Sequence, residues 1–582
     1  MTVKHETHEV DLCVIGGGLA GMCVALAAAR HGAKVAIMHD RPVWGGNASS
    51  ECRVGIGGAD RGGGIPHVRE TGIVEELRLE NLYRNPNDVY SIQDTVFYEK
   101  MRLQPNLIPI LNCSCVRAEM EGNHILSVTG WQLTSETWHT VKAKLFADCS
   151  GDSILAPLTG AEFRIGREAR SEFGESIAPE VADKRTMGMT LLFYSREYPT
   201  PQPFKPPTWA YRFESCDDLP FGERDHSRWM VGYWWIELGG EYDSIHDTEM
   251  LRDELLKICY GVWDHLKNHC RHRDQVANWA LDWVQFFPAK RESRRYMGDY
   301  ILTQRDIEAE GKFDDVVAYG GWTMDDHHPA GFWSVKVPAP ATIWHPCPSP
   351  YGIPYRILYS KNIDNLMFAG RNTSCSHAAL SSTRLIATCA VMGQAVGTAA
   401  ALATKLGLSP REVGQHIKTL QQTLLRDDCY LPGVRQEFGP LTMEAALVAS
   451  RGNPEPLRDG INRQVGNEPH AWECSPGDHV AYLFTQPSLV SEATLLLDSD
   501  LAKGIGHKYS RGNILTSIPP VMPKAFRLEG LREGSWQTLA RFDEHHQRLV
   551  RVPLNQRLEG VRFVLEETWG ADRTRVYAFY LD

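Results

Sequence analysis

Apolar runs along the chain are short and sharply bounded, and their order predicts an α/β protein. Residues 10–14 form an apolar strand that runs into Gly16-Gly17-Gly18-Leu19-Ala20-Gly21. An Ala- and Leu-rich stretch over 22–30 predicts a helix, and 34–38 a second strand after Gly32. Much later, residues 365–368 form another apolar strand closing on Gly370-Arg371, followed by a long helix over 384–406 carrying Gly393 and Gly397. The region between, about 155–365, reads as short strand-like pieces such as 187–194 and 229–238, with one helix over 248–282. From about 440 the pattern becomes alternating strands at 480–485, 493–498, 525–529, 548–552, 560–566 and 575–581, broken by turns, which predicts a β-sandwich.

The first strand, turn, helix and second strand fit within about 30 residues and carry glycines at G-x-G-x-x-G spacing. Gly16 permits a tight turn, Gly18 lets a pyrophosphate approach the backbone, and Gly21 lets helix and strand pack closely. The helix N-terminus at Leu19 and Ala20 then presents unpaired N–H groups and a positive dipole end to phosphate. The acidic residue that usually ends the second strand is replaced by His39, with Asp40 next; either reaches a ribose hydroxyl, and Asp40 is favoured.

Further motifs narrow the dinucleotide. Arg41 to Glu51 reads R-P-V-W-G-G-N-A-S-S-E and contains Gly45, Gly46, Asn47 and Ser50; residues 147–152 read A-D-C-S-G-D and contain Asp148, Gly151 and Asp152. With R-E-S-R-R at 291–295, Y-G-G-W and D-D-H-H-P within 319–329, and F-A-G-R-N-T-S-C-S-H to S-T-R over 368–384, these segments resemble the FAD-dependent oxidoreductase family, grouped distantly with fumarate reductase and succinate dehydrogenase flavoproteins. The resemblance covers roughly 8–430. It implies FAD, held by the loops just quoted, by Gly370 and Arg371, and by a helix starting near Ser381 and Ser382, with Ser as N-cap and Thr383 in the first turn. It also implies an FAD/NAD(P)-binding Rossmann-like domain over 1–160 and 360–435, interrupted by an α+β substrate-capping domain over 161–359. Residues 440–582, with L-x-D-G-I-N-R and a terminal T-W-G followed by R-V-Y-x-F, resemble a discoidin or galactose-binding-like jelly roll.

Composition removes several function classes. With 582 residues, 43% hydrophobic and 23% charged, the chain is an ordinary globular protein of several domains. A net charge of -11 supplies no basic face for nucleic acid. No run of about 18 apolar residues is read, and the polar stretch 1–11 lacks a signal-peptide pattern, so no membrane span and a cytoplasmic location are expected. The 14 cysteines are scattered without C-x-x-C, which predicts reduced, mostly buried thiols. His265, His269 and His272, with Cys270, would share a helix face, but the interleaved Lys267, Asn268 and Arg271 read as a solvated surface, and no metal is expected.

Three segments carry candidate chemistry. His327 and His328 lie in a loop-like stretch after Gly320-Gly321-Trp322, His377 precedes the helix implied to face the flavin, and either acid/base role suits an imidazole. Arg53 and one arginine of 291–295 are candidates to clamp an anionic group. The leading expectation is dehydrogenation of a CH–OH group of a sugar, glycoside or other polyhydroxylated small molecule, with hydride passing to flavin N5 and electrons leaving to an unassigned acceptor. Reduction of an activated C=C in a carboxylate is the alternative reaction. A carbohydrate-binding protein with a vestigial flavin fold is the alternative of another class, and a homo-oligomer is compatible with all three.

Overall fold

The computed structural model describes residues 3–62, 65–220, 226, 232–337, 341–348, 350–506 and 513–582. Strand β1 (Lys4–Ile15) lies at the centre of a sheet with β2 (Val35–Met38) and β3 (Leu107–Ile110) to one side and β6 (Thr137–Asp148) to the other, all parallel. β1 starts well before the expected residue 10 because its polar N-terminal half pairs with β6 from Lys4↔Thr137 onward. The first half of β6 also takes antiparallel β5 (His124–Gln132), which pairs with β4 (Cys113–Glu121). Its last residues instead take parallel β7 (Leu366–Phe368). Ile15, Met38, Asp148 and Phe368 therefore end on one edge of the sheet, where an open α/β sheet binds its ligand.

Helix α1 (Leu19–Arg30) is buried almost throughout, because the long helix α4 (Ile386–Leu406) covers it. Glycine permits that approach: a Cβ on Gly393 would lie 2.3 Å from the Ala20 carbonyl oxygen, and one on Gly397 2.2 Å from that of Val24. α4 has the length and mean hydropathy (1.6) of a membrane-crossing helix, an exception to the sequence reading, yet 89% of its apolar window is buried inside the protein.

The expected single helix after residue 381 is in fact two. Helix α3 (His377–Thr383) is capped by Ser376, whose Oγ accepts from the Ala379 N–H at 3.1 Å. The chain then extends through Leu385 (ψ 141°) before α4 begins.

A separate core over the middle region joins Met189, Phe193, Phe213, Tyr233, Trp235 and Trp263 to helix α2 (Thr248–Asp264). The helix expected to reach 282 stops there: a π turn spans His265–His269, Cys270 is extended, and a short helix resumes at Arg273–Val276. Of the expected strand 229–238, residues 229–231 lie outside the described residues, and only Glu237–Leu238 is strand.

The C-terminal unit is a β-sandwich with its own core around Trp472, Tyr482, Phe526, Phe563 and Phe579. Two long strands, His479–Leu497 and Leu549–Thr568, pair antiparallel along their length at the middle of its seven strands, with register shifts near Leu483/Ser488 and Val490/Glu492. Three fully buried arginines bind this unit to the rest. Arg69 pairs with Glu75 at 2.6 Å and donates to the Ser499, Asp500 and Lys503 carbonyls. Arg463 donates to the Arg69 carbonyl at 3.1 Å and lies 4.2 Å over Tyr430, while Arg548 pairs with Asp428 at 3.0 Å.

Candidate active site

A cavity of about 940 Å³ opens over the carboxyl ends of β1, β2 and β6, near the top of the ~300–1,000 Å³ range of small-molecule sites. Gly16, Gly18, Leu19 and Ala20 line it. A Cβ on Gly18 would meet nothing within 4 Å, so this backbone is open to a ligand. Gly17, the variable position of the motif, is glycine because a Cβ there would sit 2.5 Å from Trp44 and 2.6 Å from His39. Gly21 does not line the cavity; a Cβ on it would lie 1.9 Å from the Gly16 oxygen, which is its packing role.

His39 and Asp40 part company at the next step. His39 Nδ1 accepts the Gly17 N–H at 3.0 Å, which leaves Nε2–H to donate to the Val43 carbonyl at 3.1 Å. Burial pushes this imidazole down to about 4, so it stays neutral with both nitrogens engaged in holding the turn. Asp40, more than half exposed, lines the cavity with one carboxylate oxygen 3.3 Å from His39 Nδ1. Beyond it come Arg41, stacked 3.4 Å over Phe287, then Gly45, Gly46 and Asn47, whose Nδ2 donates to the Lys290 carbonyl at 3.2 Å. Ser50 does not line the cavity; its backbone N–H donates to Asp94 at 3.1 Å.

The 147–152 segment divides similarly. Asp148 is fully buried, lies off the cavity, and accepts from Ser150, Leu155 and Tyr296; it fixes the strand end. Gly151 and Asp152 line the cavity. Burial alone would raise the Asp152 carboxyl, but Arg371 at 2.8 Å and Lys290 at 2.9 Å hold it down at about 2. Gly370, at φ 117°, lines the wall beside Arg371.

At the start of α4, its N-cap Leu385 and its residues Ile386 and Cys389 reach the cavity, so its first turn points a positive dipole end inward. Ser382 and Thr383 do not: the Ser382 Oγ donates to the Trp322 carbonyl and meets Tyr351 Oη at 2.8 Å, and Thr383 Oγ1 lies 3.8 Å from Cys375 Sγ. The break at Arg384–Leu385 rotates them into the core.

At the far end the histidine candidates separate. His327 lines the cavity: Nδ1 donates to buried Glu237 at 2.6 Å, and Nε2 lies 3.2 Å from Asp325 Oδ1. Trp234 packs edge-on at 5.2 Å, and Trp322 and Trp344 complete an aromatic wall. His328 sits off the cavity, its Nδ1 accepting the Ala330 N–H. His377 is also off it, between Glu292 at 2.9 Å and Asp326 at 3.0 Å. Burial opposes its charge, but those carboxylates raise it to about 10, and its place off the cavity keeps it from a substrate there.

Among the arginines, Arg53 lines the cavity with φ 54° and stacks 4.3 Å over Trp283; among the described residues no carboxylate lies within 4 Å of it. Arg291 also lines it, 3.4 Å from Glu237, whereas Arg295 is buried in the Glu168–Glu292 network. Glu237, Asp325 and Arg384 belong to this end. Asp325 opens the Asp-Asp-His-His-Pro stretch read from sequence and Arg384 ends the S-T-R motif, but Glu237 carries no local signal.

The walls suit FAD. The Nε atoms of Arg53, Arg371 and Arg384 are buried without a hydrogen-bond partner among the described residues, as donors reserved for a ligand would be. The backbone at Gly18 is open, and the positive turn of α4 completes the set.

Comparison with known proteins agrees: the family model described as FAD dependent oxidoreductase matches residues 11–424, and the chain belongs to that family. It is an FAD-dependent oxidoreductase, with FAD as its cofactor. Among solved structures, p-nitrophenol 4-monooxygenase PnpA from Pseudomonas putida DLL-E4 is similar at 12% identity, covering 72% of this chain and 86% of that one, with a TM-score of 0.32. The family 32 carbohydrate-binding module of Streptococcus pneumoniae EndoD is similar at 13% identity over 24% of this chain and 97% of that one, with a TM-score of 0.19. No curated protein matches the chain.

Proposed function

We propose that the protein dehydrogenates a CH–OH group of a sugar, glycoside or related polyol, with His327 as the base. When bound, FAD supplies the two-electron acceptor. The observation that carries this reading is the placement of His327, the candidate histidine that lines the cavity, backed by Glu237 at 2.6 Å. Glu237 fixes the ring through Nδ1, and Nε2, 3.2 Å from Asp325 Oδ1, takes the hydroxyl proton; Glu237 and Asp325 then stabilise the imidazolium. Trp234, Trp322 and Trp344 offer faces and edges against which the C–H face of a sugar ring packs. The charges of Arg291 and Arg384 are matched by Glu237 and Asp325 at 3.4 Å each, which favours a neutral substrate at this end.

Reduction of an activated C=C in a carboxylate is the second reading, supported by Arg53 and its lack of a carboxylate within 4 Å among the described residues. Anaerobic titration of the yellow protein separates the two. A polyol that bleaches the flavin supports dehydrogenation; failure of every sugar and polyol, with reoxidation of the reduced protein by an unsaturated acid, replaces it. A purified protein that is colourless and takes up no FAD would instead revive the vestigial-fold reading.

A further inference from the structure

The break at the end of α2 gathers a side-chain set unconnected with the flavin cavity. Cys216, His226, His265 and Cys270 place one ligand atom each within 4.8 Å of all the others. Cys216 belongs to a short turn, Cys216–Asp218, held by a capping box from Ser215. His265 and Cys270 bracket the π turn His265–His269, a deformation of the kind that recurs at functional sites. The helix had to stop here for this set to form: an uninterrupted helix would carry Cys270 off the side occupied by His265.

We infer that these four residues form a tetrahedral Cys2His2 site for a zinc ion. The distances match the polyhedron. With Zn–S near 2.3 Å and Zn–N near 2.0–2.1 Å, a tetrahedron has S···S edges of about 3.8 Å and S···N edges of about 3.5 Å. The structure has Cys216 Sγ 3.9 Å from Cys270 Sγ and 3.5 Å from His265 Nε2.

The surroundings orient the ligands as such sites do. His265 Nδ1–H donates to the Phe213 carbonyl at 2.9 Å, which fixes the tautomer and turns the Nε2 lone pair toward the sulfurs. The His272 backbone N–H donates to Cys270 Sγ at 3.4 Å, as suits a thiolate. His226 completes the set with its ring 5.4 Å from that of His265. His269 and His272, which helical spacing had grouped with His265, are not members; His269 turns instead to Asp264 at 3.4 Å.

Two thiolates and two imidazoles select zinc over calcium or magnesium, and four protein ligands leave no open position for chemistry. The role is structural: the ion ties Cys216 and His226 to the end of α2.

The test is elemental analysis of the whole protein, purified with reductant and without chelator. Roughly one zinc per chain is expected, as one four-ligand site requires. Chelated protein given Co(II) should show the visible bands of a tetrahedral thiolate site, and Cys216→Ser should lose both these bands and the zinc. If that variant fails to fold, His226→Gln and metal return to the chelated wild-type give the same readout. A chain that holds no stoichiometric metal and binds neither zinc nor Co(II) overturns the inference, as does a Cys216–Cys270 disulfide found by mass after purification.

Discussion

Replacing Gly18 by alanine separates two demands made on the phosphate turn, cofactor approach and helix packing. Gly18 caps α1 at φ -64°, ψ 174°, angles any residue adopts, and an added Cβ meets nothing within 4 Å. Losing a glycine at an N-cap costs roughly 0.5–1 kcal/mol, and stiffening the unfolded chain returns about 0.4–1 kcal/mol. The FAD-free fold should therefore keep its stability to within about 1 kcal/mol. The methyl group, however, points into the cavity where the pyrophosphate must lie against the backbone. Overpacking there costs about 1–3 kcal/mol, or roughly 5–150-fold in FAD affinity.

Gly21→Ala is the counterpart. Its Cβ would lie 1.9 Å from the Gly16 carbonyl oxygen and 3.1 Å from Cys149 Cβ, so the FAD-free protein itself should lose about 1–3 kcal/mol or more. Chemical denaturation of the FAD-free variants and FAD titration by flavin fluorescence read the two effects separately. Unchanged FAD affinity in Gly18→Ala would refute the placement of the pyrophosphate, as would a destabilisation equal to that of Gly21→Ala.

Asp40→Ala should weaken FAD by about 1.5–3 kcal/mol, the worth of a hydrogen bond to a charged group, and an unaltered dissociation constant would remove Asp40 from the ribose. The raised pKa of His377, about 10, gives a signed pH dependence. Its stabilisation is full below the unfolded value near 6.5 and is lost as pH climbs through about 10. His377→Gln should flatten the fall of the urea midpoint across that window, and an identical slope would contradict the buried cation. Arg548→Ala leaves Asp428 buried without its 3.0 Å partner and should cost about 3–5 kcal/mol at the junction of the sandwich with the flavin domain; undiminished resistance to limited proteolysis there would contradict a rigid junction.

The local signals in the chain were strong where one segment decides its own fate. The glycine turn, α1, β2 and the apolar half of β1 follow from spacing alone, and Gly370-Arg371 lines the cavity. Local sequence is silent where distant residues decide. The small-residue run through 377–406 looks continuous, because nothing local marks the turn at Arg384 and Leu385; Ser376, not Ser381 or Ser382, is the cap. Glu237, the partner that singles out His327 over His328 and His377, lies 90 residues away in sequence. Cys216 lies 54 residues from Cys270, so three histidines at helical spacing suggested a grouping that the π turn undoes.

The most direct measurement of the central claim is single-turnover bleaching of the flavin, without oxygen, by a polyol that titrates the wild-type protein. His327→Gln should bind FAD normally, remain yellow, and bleach about 10²–10⁴ times more slowly, the usual worth of a positioned base. Bleaching at the wild-type rate would contradict the account and leave His327 as a wall residue only.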